Sequence, residues 1–272
     1  MILFSPAKIN LGLQILRKRS DGFHEISTLM FPLPFRDLLE INPGKPGGKN
    51  FSMTQSGIMV PGDIRDNLCF RAWKLFCSEQ GETPVQLHLH KRIPMGAGLG
   101  GGSSNAATVL KGLNTLRGDP YAVAELEDLA ATLGSDCSLF IKNEPALAEG
   151  RGEVLKRTQV QLPGNYMVVM YPELHVDTAA AYRETVPDAD RPPLHTLLEA
   201  PMETWKELVK NDFEKTVFRK YPEIADLKSE LYSSGAVYAS MSGSGSSVFG
   251  LFRDKPEPGV VPLNYIAWEG YV

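Results

Sequence analysis

The chain has 272 residues, of which 43% are hydrophobic and 22% are charged. This length and composition are typical of a soluble globular protein with one large domain or two smaller ones. The formal charge of -4 and the pI near 5.8 exclude a general electrostatic attraction to nucleic acid, so we expect no nucleic-acid partner.

Cysteine content and hydropathy indicate the cellular compartment of the protein. The three cysteines, Cys69, Cys77 and Cys137, form no C-x-x-C pair and no even framework, which is typical of a reducing compartment. Pro6 and Lys8 interrupt the first apolar stretch before a signal-peptide core forms, and no apolar run approaches the ~18 residues that span a bilayer. We therefore expect a cytoplasmic protein with no membrane partner.

Periodic patterns predict strands and helices in mixed order. The helix over 68–76 follows a cap signal at Asp66 and Asn67, and the helix over 122–133 is expected to end with Gly134 as its C′ residue. In chain order, we expect a strand pair or strand edge over 5–16, a turn leading into a strand over 21–30, a hairpin connection or exposed loop over 42–50, a helix over 68–76, a strand over 85–89, a helix over 106–113 capped by Ser103 or Ser104, a helix over 122–133, and strands over 166–171 and 248–251.

The composition changes after the predicted helix over 122–133. The stretch 144–164 is turn-like, and a new strand pattern then begins at Tyr166. We place a boundary near residue 155, which predicts an N-terminal domain over 1–155 and a second α+β domain over 156–272.

Residues 94–104 read PMGAGLGGGSS and lie between a predicted strand and a predicted helix. Glycine permits positive φ and lets main-chain N–H groups approach a ligand closely. The N-terminus of the following helix adds unpaired N–H donors and the positive end of the helix dipole. The segment therefore predicts a phosphate-binding loop.

Other glycine-rich motifs fit this loop poorly. A Walker loop requires lysine after its last glycine, whereas Ser103 follows Gly102. A dinucleotide fingerprint requires an acidic residue at the end of a second strand, whereas Asp119 lies in a turn sequence. The H-R-D and D-F-G segments of protein kinases do not occur. A flexible linker is also disfavoured, because the loop carries apolar residues and joins two periodic segments.

A second cluster, MSGSGSS at 241–247, precedes the strand pattern over 248–251. With the segment SPAKINL at 5–11 and the glycine loop, it resembles the three motifs of the GHMP kinases, which phosphorylate small molecules. Further segments resemble the branch of these kinases that acts on 4-diphosphocytidyl-2-C-methyl-D-erythritol. They are RSDGFH at 19–24, LGSD at 133–136, PELHVDTAAAY at 172–182 and NDFE at 211–214.

The resemblance implies both a fold and a reaction. The implied fold is α+β with two lobes, an N-terminal domain like domain 2 of ribosomal protein S5 and a ferredoxin-like C-terminal domain, with ATP and substrate meeting in the cleft. The implied reaction transfers the γ-phosphoryl group of ATP to the 2-hydroxyl of the substrate in non-mevalonate isoprenoid biosynthesis. The implied ATP-binding residues are Pro94, Met95, Gly96, Ala97, Gly98, Leu99, Gly100, Gly101, Gly102, Ser103 and Ser104.

Two charged residues are the catalytic candidates. An alcohol is a poor nucleophile, so the reaction benefits from a carboxylate at the hydroxyl and a cation near the phosphoryl group. Asp136 lies in a small polar segment before an apolar run, and Lys8 matches the lysine of the first family motif. On sequence alone, Asp136 could instead cap a short helix, and Lys8 could extend its charged end from a strand edge.

The resemblance also implies substrate contacts. Phe23 and His24 resemble a pair that binds cytosine, by stacking and by hydrogen bonding respectively. Asn10 is expected at the erythritol diphosphate, Tyr182 at the far face of the base, and Thr178 is a weaker candidate. Without the resemblance, core packing for Phe23 and a turn role for His24 would be the simpler interpretations.

Two positions depart from the family pattern. Asn105 replaces a frequent aspartate, and Ser138 replaces a frequent proline. Mg²⁺ is expected to enter with ATP, with Ser104 as the candidate hydroxyl ligand and no other assigned ligand. The expected partner is a small-molecule substrate, and the expected state is a monomer or weak homodimer. Alternatives are another GHMP kinase acting on mevalonate, homoserine or a sugar, or a nucleotide-binding module without catalysis.

Overall fold

The computed structural model describes residues 1–45, 48–259 and 261–272. The strands are β1 Ile2–Lys18, β2 His24–Pro43, β3 Phe51–Gly57, β4 Val85–Lys91, β5 Ala146–Glu149, β6 Val154–Arg157, β7 Tyr166–Met170, β8 Tyr238–Met241, β9 Val248–Phe252 and β10 Ile266–Tyr271. The α-helices are α1 Leu68–Gln80, α2 Gly101–Leu116, α3 Val123–Ala131, α4 Leu139–Lys142, α5 Thr178–Glu184, α6 Leu194–Leu198, α7 Met202–Leu208, α8 Glu214–Lys220 and α9 Pro222–Ser233.

The described chain forms two compact units that alternate along the sequence. Unit 1 comprises Met1–Ala7, Phe35–Met95 and Gly100–Glu144, and unit 2 comprises Lys8–Pro34, Gly96–Leu99 and Pro145–Val272. Strands β1 and β2 and the glycine loop therefore contribute residues to both units. Because these units do not correspond to a single cut in the chain, the sequence boundary near residue 155 stays a prediction.

Unit 1 is built on strand β4. This strand pairs antiparallel with the second half of β2, from Leu38 opposite His90 to Pro43 opposite Val85, and parallel with β3. Its alternating pattern has a direct structural cause, since Val85, Leu87 and Leu89 are buried. The predicted strand over 85–89 is confirmed.

The helices of unit 1 pack around α2. Helix α1 begins after Asn67, whose side chain accepts a hydrogen bond from the Cys69 N–H at 2.8 Å, and it buries Cys69, Ala72 and Phe76 on one face. This face packs against α2, which in turn contacts α3 and α4. The predicted cap and helix at this position are confirmed.

Unit 2 contains a four-stranded antiparallel sheet in the order β10, β7, β9, β8. Helix α9 begins with Pro222 and packs against β8 and β9. The first half of β2 pairs with β5, which pairs with β6. A hydrophobic core joins β7 and β9 to the second half of β1, α8 and α9. The predicted strands over 166–171 and 248–251 are confirmed.

Two local predictions require correction. Helix α3 ends at Ala131 with Thr132 in right-handed helical geometry, so Gly134 is not its C′ residue. Helix α2 begins at Gly101 after the left-handed Gly100, so Ser103 and Ser104 lie inside its first turn and do not cap it. Glycine takes the cap position because a left-handed φ of 68° is accessible to it without strain.

The predicted connection over 42–50 falls partly outside the described residues, at 46 and 47. The strands on either side of it, β2 and β3, both pair with β4 and so do not form a hairpin with each other. Among the described residues, every helix is too short or too polar to traverse a lipid bilayer.

Candidate functional site

The second half of the glycine loop, in unit 1, presents the start of α2. Because Ser104 N–H donates to Gly100 O at 2.9 Å, the N–H groups of Gly101, Gly102 and Ser103 precede the first intrahelical bond of α2. These donors and the positive helix end favour an anion.

Close packing requires glycine at two positions of the loop. A Cβ on Gly101 would lie 2.8 Å from Lys91 Nζ and 2.9 Å from Ile93 Cγ2, within unit 1. A Cβ on Gly98, whose φ is +78°, would overlap the carbonyl oxygen of Ser242, within unit 2. The loop is therefore a tightly packed segment, in contrast to a flexible linker.

A buried polar network supports the start of α2 in unit 1. The carboxylate of Asp37 pairs with Lys91 and accepts hydrogen bonds from the N–H groups of Arg92 and Ile93 at 2.7 and 2.8 Å. Asn105 Nδ2 also donates to this carboxylate, at 2.9 Å. Burial lowers the pKa of Lys91, and the adjacent Asp37 opposes that shift.

The network continues to Ser104. Asn105 Nδ2 donates to Ser5 Oγ at 2.9 Å, and Ser5 Oγ donates to Ser104 Oγ at 2.8 Å. The Ser104 hydroxyl is thus fully buried and already hydrogen-bonded, whereas the neighbouring Ser103 is partly exposed. Asn105 serves as a donor here, which a carboxylate at this position would not do unless protonated.

A cavity of about 210 Å³ adjoins this network in unit 1. Its walls combine apolar side chains with a few polar groups, as small-molecule sites do. The lining residues are Val60, Pro61, Asp66, Asn67, Leu68, Leu89, Lys91, Met95, Gly102 and Asn105.

In unit 2, the first half of the glycine loop meets the serine and glycine segment over 241–247. Ser247 N–H donates to Ala97 O at 3.1 Å, and Ser242 Oγ donates to Gly98 O at 2.8 Å. Asn211 Nδ2 holds the second segment by donating to Met241 O and Gly243 O, each at 2.8 Å. The two clusters that the sequence singled out are therefore in direct contact.

Lys8 lies beside this junction. Its side chain is only 4% exposed, and Nζ donates to Asn10 Oδ1 at 2.6 Å and to Gly98 O at 3.0 Å. Asn10 Nδ2 donates in turn to Thr28 Oγ1 at 3.0 Å. A lysine extending from a strand edge into solvent would not have these partners, so that interpretation of Lys8 is wrong.

The expected cytosine-binding residues also lie in unit 2. His24 and Tyr182 stack with ring centroids 5.1 Å apart and an angle of 21° between their planes. Phe23 is 55% exposed, and the guanidinium of Arg151 lies 5.0 Å from the centroid of its ring. Burial, with a smaller effect of Lys18, lowers the pKa of His24, which favours a neutral ring.

Thr178 and Asp136 occupy separate surroundings. Thr178 Oγ1, in unit 2, forms a hydrogen bond of 2.7 Å with Ser244 Oγ. Asp136, in unit 1, is half-buried in the turn before α4. The N-cap residue of α4 is Ser138, so Asp136 is not the cap that the alternative interpretation required.

The structure thus divides the predicted residues between the units. Asp136, Pro94, Met95 and 100–104 belong to unit 1, and the other predicted residues belong to unit 2. Sequence reasoning did not identify the pair of Asp37 and Lys91 or the contact of Arg151 with Phe23. A charged residue inside an apolar strand was the available signal for Asp37, since Phe35 and Leu39 flank it on the same buried face.

In the part of the chain that the structure describes, no group of three or more His, Cys, Asp or Glu side chains is placed to hold a metal ion. Mg²⁺ commonly binds with several waters and substrate phosphates and with few protein ligands.

Two family models match the sequence. The model of the GHMP kinases N terminal domain matches residues 67–142, and that of the GHMP kinases C terminal domain matches residues 194–261. The first match contains the whole glycine loop and Asp136, and the second contains the segment over 241–247.

Curated relatives match nearly the whole chain. The 4-diphosphocytidyl-2-C-methyl-D-erythritol kinase of Cytophaga hutchinsonii is 46% identical over 258 residues, covering 94% of each protein. That of Bacteroides fragilis is 44% identical over 267 residues, covering 98% of this chain and 97% of the relative.

Solved structures agree on the fold. A crystal structure of 4-(cytidine 5'-diphospho)-2C-methyl-D-erythritol kinase superposes with a TM-score of 0.79 and 36% identity, covering 93% of this chain and 91% of that one. Mevalonate kinase of Methanococcus jannaschii gives a TM-score of 0.66 at 13% identity, over 93% of this chain and 90% of that one, and so shares the fold alone. The expected α+β class is confirmed.

Proposed function

Since the chain belongs to the GHMP kinases, and within them to the 4-diphosphocytidyl-2-C-methyl-D-erythritol kinases, we propose that it phosphorylates the 2-hydroxyl of that diphosphocytidyl alcohol. ATP supplies the γ-phosphoryl group, and the products are the 2-phosphate and ADP. The observation that carries this proposal is the 46% identity to such a kinase over 94% of both chains. The reaction belongs to non-mevalonate isoprenoid biosynthesis.

Unit 1 has the features that ATP requires. The N–H groups at the start of α2 suit the phosphates, and the adjoining cavity, with Leu68, Leu89 and Met95 on its walls, suits the purine ring. The eleven residues over 94–104 are the proposed phosphate-binding loop.

Mg²⁺ would enter with ATP and be held mainly by phosphate oxygens and water. The partly exposed hydroxyl of Ser103 is more accessible to such an ion than the buried hydroxyl of Ser104. The bound ion would neutralise charge on the phosphates during transfer.

Asp136 and Lys8 are the proposed catalytic residues. Asp136 accepts the proton of the 2-hydroxyl as its oxygen attacks the γ-phosphorus and the bond to the β-phosphate oxygen of ATP breaks. Lys8 contributes positive charge near the transferred group. Its bonds to Asn10 Oδ1 and Gly98 O hold the ammonium in a fixed position.

The alcohol substrate is proposed to bind through unit 2. The exposed ring of Phe23 supplies a stacking face for cytosine, and neutral His24 supplies a donor or an acceptor. Tyr182 covers the far face of the base, while Asn10 and Thr178 contact the erythritol diphosphate. In domain terms, we propose an ATP-binding segment over 1–155 followed by a C-terminal segment over 156–272.

The test is ADP release by the purified protein with Mg²⁺, ATP and 4-diphosphocytidyl-2-C-methyl-D-erythritol, beside mevalonate, homoserine and galactose. We expect turnover with the cytidine substrate and a loss of about 10²–10⁴-fold in the Asp136→Asn variant. Asp128→Asn, on the exposed face of α3, is the matched control and should retain turnover. The turnover of Lys8→Met is compared with that of wild type once thermal unfolding has confirmed that the variant is folded.

The outcomes separate the alternatives. Turnover with a different alcohol would retain a GHMP kinase and reject the cytosine-binding residues. ATP binding without turnover on any of the alcohols would reject the kinase in favour of a nucleotide-binding module. Full activity of Asp136→Asn would reject the proposed base while leaving the reaction in place.

A further inference from the structure

We propose that Arg151 is a substrate-binding residue that recognises the diphosphate of the cytidine-diphosphate-linked alcohol, acting as a pair with the aromatic face of Phe23. This inference rests on the proposed function and extends it by one residue. The ring of Phe23 provides a stacking surface for cytosine, and the guanidinium of Arg151 provides positive charge for the diphosphate.

Arg151 is held by a tight turn between β5 and β6. Gly150 and Gly152 flank it with φ of 69° and 107°, values that side chains rarely allow. Ile26 N–H donates to Gly150 O at 2.8 Å, and Gly152 N–H donates to Glu149 O at 2.9 Å. The backbone that carries the guanidinium is therefore fixed to β2 and to the end of β5.

Phe23 is fixed by a second turn. Arg19 N–H donates to Phe23 O at 2.8 Å, and Phe23 N–H donates to Asp21 Oδ1 at 3.0 Å. Phe23 is nevertheless 55% exposed, although burial of its apolar ring would be favourable. Two rigid turns thus hold an exposed ring and a guanidinium 5.0 Å apart.

Arg151 is less engaged by carboxylates than Arg19, the other arginine of these two turns. Arg19 is engaged by Asp21 at 3.1 Å and by Glu25 at 2.8 Å. The ring of His24 is favoured in its neutral form. Arg151 has a longer contact of 3.6 Å to Glu153 of its own turn and is 44% exposed.

The chemistry of the pair matches a pyrimidine nucleoside diphosphate. Guanidinium stacks on aromatic rings and donates in a planar fork that fits phosphate oxygens. The pyrimidine is neutral at physiological pH, so a cation contributes more to binding the diphosphate than to binding the base. Arg151 is therefore expected to distinguish CDP from cytidine.

Calorimetric titration of the full-length protein with CDP and with cytidine tests this assignment. We expect Arg151→Gln to weaken CDP binding by at least about tenfold and to leave cytidine binding nearly unchanged. Arg151→Lys, which keeps the charge without the planar fork, should recover part of the loss. Lys156→Gln is the matched control, since it removes one exposed positive charge from the same hairpin and should behave as wild type.

Steady-state kinetics provide the second measurement. The KM of Arg151→Gln for the cytidine substrate should rise about tenfold, while kcat and the KM for ATP remain as in wild type. An unchanged ratio of CDP to cytidine affinity in Arg151→Gln would overturn the inference. Equal losses of CDP and cytidine binding would also overturn it, because they would indicate a structural role for the residue.

These failures differ from a failure of the proposed function. If Arg151 is misassigned, wild type still turns over the cytidine substrate and binds CDP, and Arg151→Gln binds CDP as wild type does. If wild type neither binds CDP nor turns over the substrate, the proposed function and the Arg151 inference are both overturned.

Discussion

Gly98 leaves no room for a side chain. Its φ is +78°, and a Cβ would overlap Ser242 O and lie 3.2 Å from Gly245 O. Gly102, four residues later, is exposed, and a Cβ there would meet its nearest neighbour, Leu68 Cδ1, at 3.5 Å. Packing therefore requires glycine at position 98 but leaves room for a side chain at position 102.

Gly98→Ala should lower the free energy of unfolding by roughly 2–4 kcal/mol, because it combines a left-handed φ with overlap against backbone. Gly102→Ala, within the first turn of α2, should be neutral or slightly stabilising. Thermal unfolding of both variants by circular dichroism is the measurement. Equal melting temperatures would contradict the packing described here.

Cysteine reactivity is a second property of single residues. Burial raises the pKa of Cys69 to about 12 and that of Cys137 to about 11, and it also raises the pKa of the half-exposed Cys77. At pH 8 the two buried thiols carry almost no thiolate, which is the reactive form.

Iodoacetamide at pH 8 should therefore label Cys77 slowly in the folded protein and reach Cys69 and Cys137 only on unfolding. Above the ordinary thiol pKa of 9.0, unfolded thiols ionise while the buried ones stay protonated, so stability should fall as pH rises. Mass spectrometry of labelled peptides, with a urea-unfolded sample as control, measures the labelling of each cysteine in the folded and the unfolded protein. Rapid labelling of Cys137 in the folded protein would contradict its burial.

At the scale of elements, Asp37 links β2, β4 and α2 of unit 1. One carboxylate meets Lys91 at the end of β4, two backbone N–H groups before the glycine loop, and Asn105 on α2. The strand end and the helix start are therefore held in one arrangement, and both adjoin the cavity proposed for ATP.

Asp37→Asn should cost about 3–5 kcal/mol of stability, because it leaves the Lys91 ammonium buried without its counter-charge. Adding Lys91→Met should restore much of this loss, since it removes the unpaired charge. Urea unfolding of both single variants and the double variant gives the coupling free energy between Asp37 and Lys91.

The pH dependence provides a further check on the same variants. Burial already lowers the pKa of Lys91, so the unfolded state binds its proton more tightly. The destabilisation of Asp37→Asn should thus be largest near neutral pH and shrink as pH rises toward 10.5, the ordinary lysine value. A penalty that does not change with pH would exclude an uncompensated ammonium as its cause.

At the scale of the whole molecule, local patterns predicted the glycine loop and part of the secondary structure, namely β1, β2, β4, β7, β9, α1, α2 and α3, and left the other elements unpredicted. The alternation of apolar residues at 85, 87 and 89 and the helical spacing of apolar residues along α1 were sufficient to predict these two elements, because each pattern reflects burial on one face. The cap of α2 was mispredicted because serine is the commoner cap, whereas this helix uses a left-handed glycine.

Contacts between residues far apart in sequence were not predictable in the same way. The pairing of Asp37 with Lys91 crosses 54 positions, and the approach of Ser242 to Gly98 crosses 144. No local sequence pattern indicates which distant residues come into contact. The resemblance to a family identifies motifs but does not show how they pack against each other. Arg151 lies within the turn-like stretch 144–164, where no local pattern indicates its contact with Phe23.

The alternating units bear on how the chain is synthesised. Leu13 N–H donates to Lys210 O, so part of the first strand of unit 2 is completed by residues made almost 200 positions later. At 5–20 residues per second, translation leaves Lys8–Pro34 without these partners for roughly 10–40 s. During that interval the nascent chain exposes strand edges that can pair with other chains. Successful production of the protein thus depends on what shields its first thirty-odd residues while the ribosome finishes the rest.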